Sequence, residues 1–381
     1  MQGGSTGIGY GLKYQARCIS DVKADTDHTS FIAGTLSLRE ENEVHLLRLS
    51  AGGTELICEG LFSHPEEIWN LSSCPFDQRV FSTVFSAGES FGAAVWQIPE
   101  LYGQLNSPQL ERIASLDGHV GKVNCVLWWP SGRNDKLISI DQENIFLWSL
   151  DCSRQAAQVQ SKESAGMLHY LSGGAWDPHD VNAVAATCES SVQLWDLRAM
   201  KKANSIECGH VRNVDYDTRK KHILVTAEDE SGIHIWDLRM PKVPIKELRG
   251  HSHWTWAVAC NPEYDGLILG LLGVLKNLGF LHLYPMMGGP RWADDCSVEY
   301  HTALFPLHYH QKFQVELHLQ SPFSYFKGVR HVFSVLEARC NSFVPESVSN
   351  YPRCGCFAPT NTYYGIWIAL GNSFDLCSQS N

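Results

Sequence analysis

Three histidines stand directly after glycine, at Gly118-His119, Gly209-His210 and Gly250-His251. Four tryptophans close short apolar runs, at Trp96 (AAVWQI), Trp148 (IFLWSL), Trp195 (VQLWDLR) and Trp236 (IHIWDLR). An imidazole, an indole N–H and a turn acid held together in an apolar interior can satisfy one another by hydrogen bonds. Counting six residues back from tryptophan gives Glu189 and Glu230 as acids; before Trp148 it gives Gln142, with Asp141 one residue off. A second chemistry follows two of the tryptophans, in Trp195-Asp196-Leu197-Arg198 and Trp236-Asp237-Leu238-Arg239. An arginine just past a strand can grip a carboxylate-bearing surface bidentately. It can equally cap its own turn.

Other chemistry finds no sequence support. The chain has no Gly-x-x-x-x-Gly-Lys-Ser/Thr loop, no Gly-x-Ser-x-Gly elbow and no His-Glu-x-x-His. No catalytic residue and no cofactor is therefore assigned. His301, His308, His310 and His318, with Cys354-x-Cys356, do not have zinc-ligand spacing, so no metal site is assigned either. Cys125 and Cys188 fall in apolar strand context and read as buried thiols. The opening MQGGSTGIGYGLKYQAR has no apolar secretory core, which places the 13 cysteines in a reducing, cytoplasmic setting. The net charge of −11 disfavours a chain built to coat nucleic acid or anionic membrane.

The elements that position these residues repeat. The four tryptophans lie at separations between 40 and 55 residues, and alternating runs such as VNCVLWWP, KLISI, VRNVDYD and HILVTA lie between the Gly-His pairs. These runs are short, β-branched and bounded by Gly, Pro, Asp or Asn, as four strands per unit would be. The period, with Gly-His early and Trp-Asp late, resembles the WD40 repeat. That resemblance implies an all-β propeller of seven blades. His119, Trp148, Trp195, Asp196, His210, Trp236, Asp237, His251 and Trp256 would be structural blade residues in it. Five blades are legible, and a sixth begins at Ile245 (IKELRGHSHWTWAVACNPEYDGLIL).

The strings GLKYQAR, EEIWNLSSCP, GGAWDPH and GHSHWTWAV, spread over residues 8–269, resemble the EARP-interacting protein family, with plant-like residue choices. EARP is the endosome-associated recycling protein complex. The resemblance implies a non-catalytic adaptor of EARP and the related GARP tether. Its role would lie in endosomal recycling and retrograde transport to the trans-Golgi network. Trp254 and His253, in GHSHWTWAV, are the expected partner contacts, since Trp is a common interface anchor. The stretches ending in Trp-Asp-Leu-Arg also resemble DWD boxes. That implies a second possible partner, the DDB-type adaptor of cullin-4 ubiquitin ligases, contacted by Arg198 and Arg239.

Past Leu269 the repeat stops. Residues 270–381 carry 14 of the 71 charged residues but 18 of the 41 aromatics. The expected organisation is a propeller over 1–269, truncated in its sixth blade. A poorly ordered tail over 270–381, of separate coding origin such as a retained intron or a frame change, would follow. Leu267–Met287 is long and apolar enough to span a membrane, but Lys276 interrupts its centre, so no stable insertion is expected.

Overall fold

The computed structural model describes residues 7–37, 41–53, 55–88, 90–100, 109–130, 135–151, 156–164, 173–229, 232–248, 255–261, 267–272, 278–285, 303–306 and 364–369. All regular elements among them are β-strands. The first sheet is β2 (Ala16–Asp21), β3 (Ser30–Thr35), β4 (Asn42–Leu49) and β5 (Leu56–His64). The second is β6 (Glu67–Ser73), β7 (Val80–Ala87), β8 (Ser90–Gln97) and β9 (Glu111–Ser115). The third is β10 (Val123–Trp128), β11 (Lys136–Asp141), β12 (Asn144–Asp151) and β13 (Ala156–Ser164). The fourth is β14 (Gly174–Trp176), β15 (Ala183–Cys188), β16 (Ser191–Asp196) and β17 (Lys201–Glu207). The fifth is β18 (Val211–Tyr216), β19 (Ile223–Glu228), β20 (Gly232–Asp237) and β21 (Lys246–Leu248). The sixth is β22 (Thr255–Cys260), β23 (Leu267–Leu272), β24 (Leu278–Pro285) and β25 (Ala303–Pro306). A two-stranded pair joins β1 (Gly7–Leu12) to β26 (Tyr364–Ala369).

Each four-stranded sheet is an antiparallel meander in chain order. Burial follows that order. In the third sheet Leu137, Ile138 and Ile140 of β11 are fully buried, whereas much of β13 faces solvent. First strands meet first strands of the next sheet: β2 with β6, β6 with β10, β10 with β14, β14 with β18, and β18 with β22.

The sequence repeat and the sheet are out of step by one strand. A repeat read up to its tryptophan ends on the third strand of a sheet, and the strand after the tryptophan folds back on it. Thus β9 pairs with the Trp96 strand and β13 with the Trp148 strand. Each repeat therefore gives its opening strand to the sheet before it.

The core is a set of seams between consecutive sheets. Trp96 packs with Ile32, Val44, Phe62 and Ile68 of the first and second sheets. Trp148 packs with Val84, Val95 and Val126 at the next seam. Trp195 joins Ile138 and Ile140 to Val184. Trp236 joins Ala185 and Val192 to Val214 and Leu224. Val225, Ile235, Val258 and Ile268 form the seam between the fifth and sixth sheets. Burying apolar area at each seam, at about 25 cal/mol per Å², is what holds neighbours together.

Backbone pairing runs past the end of the sequence periodicity. Residue 269 falls inside β23, which pairs with β24, and β24 pairs with β25. The sixth sheet is thus four-stranded, with two of its strands drawn from beyond residue 269. The apolar run Leu267–Met287 contributes β23 and β24, and no helix among the described residues is long and apolar enough to cross a membrane.

Candidate functional site

The third sheet carries a complete buried network. Gly118 has φ of 119°, which L side chains avoid and glycine adopts freely. The bend lays the His119 ring against Phe146 and Trp148, at centroid distances of 4.4 and 5.9 Å. Trp148 Nε1 donates to Ser139 Oγ at 2.7 Å. Ser139 Oγ lies 2.9 Å from His119 Nε2, and His119 Nδ1 lies 3.1 Å from Asp141 Oδ2. The carboxylate favours the proton on Nδ1, so Nε2 accepts the serine hydroxyl proton. Asp141 Oδ1 accepts the N–H groups of Glu143 and Asn144 at 2.9 and 2.7 Å. Burial pushes the Asp141 carboxyl pKa up, but His119 and these two amides outweigh it, so the net shift is downward. Serine, histidine and aspartate in this order could activate a nucleophile. Here Ser139 is fully buried and its oxygen already receives the indole proton. The network ties strands together. Its acid is Asp141, not the Gln142 position reached by counting back from Trp148.

The other sheets vary this design. In the second, Trp96 Nε1 donates to Thr83 Oγ1 at 2.8 Å, and His64 Nε2 sits 3.3 Å from the same oxygen. His64 Nδ1 is 2.8 Å from the Glu66 carbonyl oxygen, and burial drives its pKa down to about 4. His64 follows serine rather than glycine, so the Gly-His rule misses it. In the fifth sheet Trp236 Nε1 donates to Thr226 Oγ1 at 3.0 Å, and Thr226 donates to Glu228 Oε1 at 2.8 Å. Glu228 also meets His234 Nδ1 at 2.7 Å and accepts the Gly209 N–H at 2.9 Å. The acid there is Glu228; Glu230 lies outside the described residues. His210 stands 3.1 Å from Asp229, onto which Arg212 also forks. In the fourth sheet Trp195 Nε1 finds Gln193 Oε1 at 3.1 Å, a neighbour on its own strand. Glu189 there adopts φ of 43° and accepts the Val211 N–H through its carbonyl oxygen.

The two Trp-Asp-x-Arg endings reach the surface. Arg198 Nε donates to Asp196 Oδ1 at 3.2 Å, and the Arg198 N–H donates to the same oxygen at 3.0 Å. Arg239 forks onto Asp237, with Nε–Oδ1 at 2.9 Å and Nη2–Oδ2 at 2.6 Å. That guanidinium lowers the Asp237 carboxyl pKa to about 2. The arginine side chains are still 69 % and 67 % exposed. Each caps its own turn and offers its outer edge to solvent.

Six meanders packed through their first strands, with tryptophan-hydroxyl-histidine networks between strands, are propeller architecture. The description of the EIPR1 beta-propeller matches residues 4–271. The chain belongs to the EIPR1 beta-propeller family. It is 74% identical over 271 residues to the WD repeat-containing protein DWA2 of Arabidopsis thaliana, covering 71% of this chain and 77% of that protein. It is 33% identical over 282 residues to EARP and GARP complex-interacting protein 1 of Homo sapiens, covering 68% and 73% respectively. A Dictyostelium discoideum relative, named EARP-interacting protein homolog, is 32% identical over 246 residues, covering 58% and 59%.

Of the remaining residues expected from sequence, His251, His253 and Trp254 fall within the EIPR1 match but outside the described residues. Trp256 lies on β22, at an irregularity in the pairing between Thr255 and Ala257. His301, His308, His310, His318, Cys354 and Cys356 lie outside the described residues. Cys125 is buried and Cys188 half-buried, and neither forms a disulfide among the described residues.

Proposed function

We propose that this chain is a non-catalytic WD40 adaptor that engages endosomal tethering complexes of the EARP and GARP type. It would work in endosomal recycling and retrograde transport to the trans-Golgi network, as a peripheral cytoplasmic protein. The observation that carries this reading is 33% identity, over 68% of the chain, to a protein named for interaction with those complexes. The seam networks supply a rigid scaffold, and a rigid scaffold suits a surface that presents several blades at once. We take residues 1–269 as the interaction module and 270–381 as a tail of separate origin, segments of which pair into the sixth sheet, with Trp254 and His253 as partner contacts. Affinity purification of the tagged full chain from its own cells tests the reading. Recovery of tether subunits, reduced by Trp254→Ala, is expected. Their absence from the wild-type eluate would refute it.

A second reading rests on the exposed edges of Arg198 and Arg239, which stand at corresponding places on adjacent sheets. It makes the chain a substrate receptor on the DDB-type adaptor of cullin-4 ligases, with a role in ubiquitination. Arg198→Ala combined with Arg239→Ala should then abolish adaptor binding while leaving the fold and tether recovery intact. Unchanged adaptor binding would dispose of it.

A further inference from the structure

One end of the fourth and fifth sheets is cationic, although the chain carries a net charge of −11. In a meander, the turn between strands one and two and the turn between strands three and four lie at the same end. Four such turns meet here. Leu197 N–H donates to the Asn182 carbonyl and Leu238 N–H to the His222 carbonyl, both at 2.8 Å. His179 Nε2 reaches the Asp217 carbonyl at 3.0 Å, joining the two sheets at this end.

The fourth sheet presents exposed Arg198, Lys201 and Lys202 there, and the fifth presents exposed Arg219, Lys221, Arg239 and Lys242. Among the aspartates of these turns, Asp196 and Asp237 pair with Arg198 and Arg239, Asp180 is half-buried, and Asp177 and Asp217 face inward. Asp177 Oδ1 accepts the His179 N–H and Asp217 Oδ1 the Arg219 and Lys220 N–H groups, and both aspartates are buried. The corresponding turns of the first three sheets carry Asp27, Glu55, Asp77, Glu100, Asp135 and Asp151 outside the core, beside Lys23 and Arg79.

The same end holds the most exposed apolar loop of the fifth sheet. Between β20 and β21, Met240, Val243 and Ile245 are 72%, 71% and 59% exposed. Cations around protruding apolar side chains match the two layers of a membrane interface, anionic headgroups above acyl chains. An acidic peptide would satisfy the cations and leave this loop in water.

We infer that this end of the fourth and fifth sheets docks on an anionic phospholipid bilayer. The seven cations face the headgroups, and Met240, Val243 and Ile245 enter the interface. The inference does not depend on the tether reading, because it concerns the protein and lipid alone.

The test is flotation of the purified full chain with vesicles of phosphatidylcholine or of phosphatidylcholine with phosphatidylserine. The wild type should float with the phosphatidylserine vesicles only, and added salt should release it. Lys201→Glu, Lys202→Glu and Lys221→Glu together should weaken binding by about a hundredfold or more, from roughly fivefold per cation near a charged surface. Met240→Ser with Val243→Ser, on the separate loop, should also weaken it. Lys23→Glu with Arg79→Glu, on the first and second sheets, should not. Circular dichroism melting verifies each fold. Equal flotation with both vesicle types overturns the inference. So does no flotation, equal loss in the Lys23/Arg79 control, or binding to polyglutamate without binding to vesicles. That last result would make the end a surface for acidic proteins.

Discussion

Replacing Ser139 with alanine removes one oxygen that serves two buried partners. Trp148 Nε1 loses its acceptor at 2.7 Å and His119 Nε2 loses its donor at 2.9 Å. Ser139 is wholly buried, and His119 and Asp141 sit with side chains only 2% and 1% exposed, so water cannot readily take its place. An orphaned buried polar group costs about 1–3 kcal/mol. Two of them give a loss of roughly 2–6 kcal/mol, set against a total stability of about 5–15 kcal/mol for a domain. Urea unfolding followed by tryptophan fluorescence measures this, with an unchanged slope showing that the unfolded state is comparable. Ser139→Thr keeps the hydroxyl, as Thr83 and Thr226 do in the second and fifth sheets, and should retain most of the stability. The decisive experiment is the cycle of Ser139→Ala with Trp148→Phe. If the indole and hydroxyl are coupled as drawn, the double variant should be more stable than the sum of the singles by at least about 0.5 kcal/mol. A Ser139→Ala loss under about 0.5 kcal/mol, or additive singles, would refute the claim that this network holds the sheet together.

Acid should loosen the seam between the first and second sheets. His64 has a folded pKa of about 4 because it is buried, so the unfolded chain binds its proton first, at about 6.5. Stability should fall as pH drops from about 6.5 to about 4, by about 3 kcal/mol in total from this group, and His64→Gln should flatten that slope in urea titrations. A side chain at Gly174 would put its Cβ 2.2 Å from the Ala185 carbonyl oxygen, whereas one at Gly121 meets only the movable end of Gln142. Gly174→Ala should therefore lower stability by about 1–3 kcal/mol and Gly121→Ala by under about 0.5 kcal/mol, compared by thermal melts. Asn213 Oδ1 and Asp215 Oδ2 accept the N–H groups of Val258 and Cys260 at 3.1 and 2.8 Å. Asn213→Ala with Asp215→Ala should speed hydrogen exchange at those two amides while leaving amides of the first three sheets unchanged.

Sequence spacing located the strands that bear tryptophan because indole burial recurs once per repeat. It misplaced the acids because the turn before the tryptophan strand varies in length. The dependable ruler is the hydroxyl two residues earlier on the second strand, as in Ser139 with Asp141 and Thr226 with Glu228. Both partners alternate onto the same face of that strand. His64 escaped because it follows serine rather than glycine, at the end of the strand that opens the Trp96 repeat and pairs into the sheet before it. The cationic end was illegible for a different reason. Its residues come from three separate turns between residues 198 and 242 that only the fold brings to one end, and a net charge of −11 hides how the signs are sorted. Arg198 and Arg239 were legible as residues, but that each is gripped by its own aspartate needs coordinates.

The placement of Trp96, Trp148, Trp195 and Trp236, one per seam, has a spectroscopic consequence. In repeat architectures each unit touches only its neighbours, so adjacent units can part in sequence rather than all at once. Fluorotryptophan incorporated at these four places makes the four seams among the first five sheets separately visible by nuclear magnetic resonance. The order in which the four resonances lose their native shift during unfolding would be the order in which the sheets part.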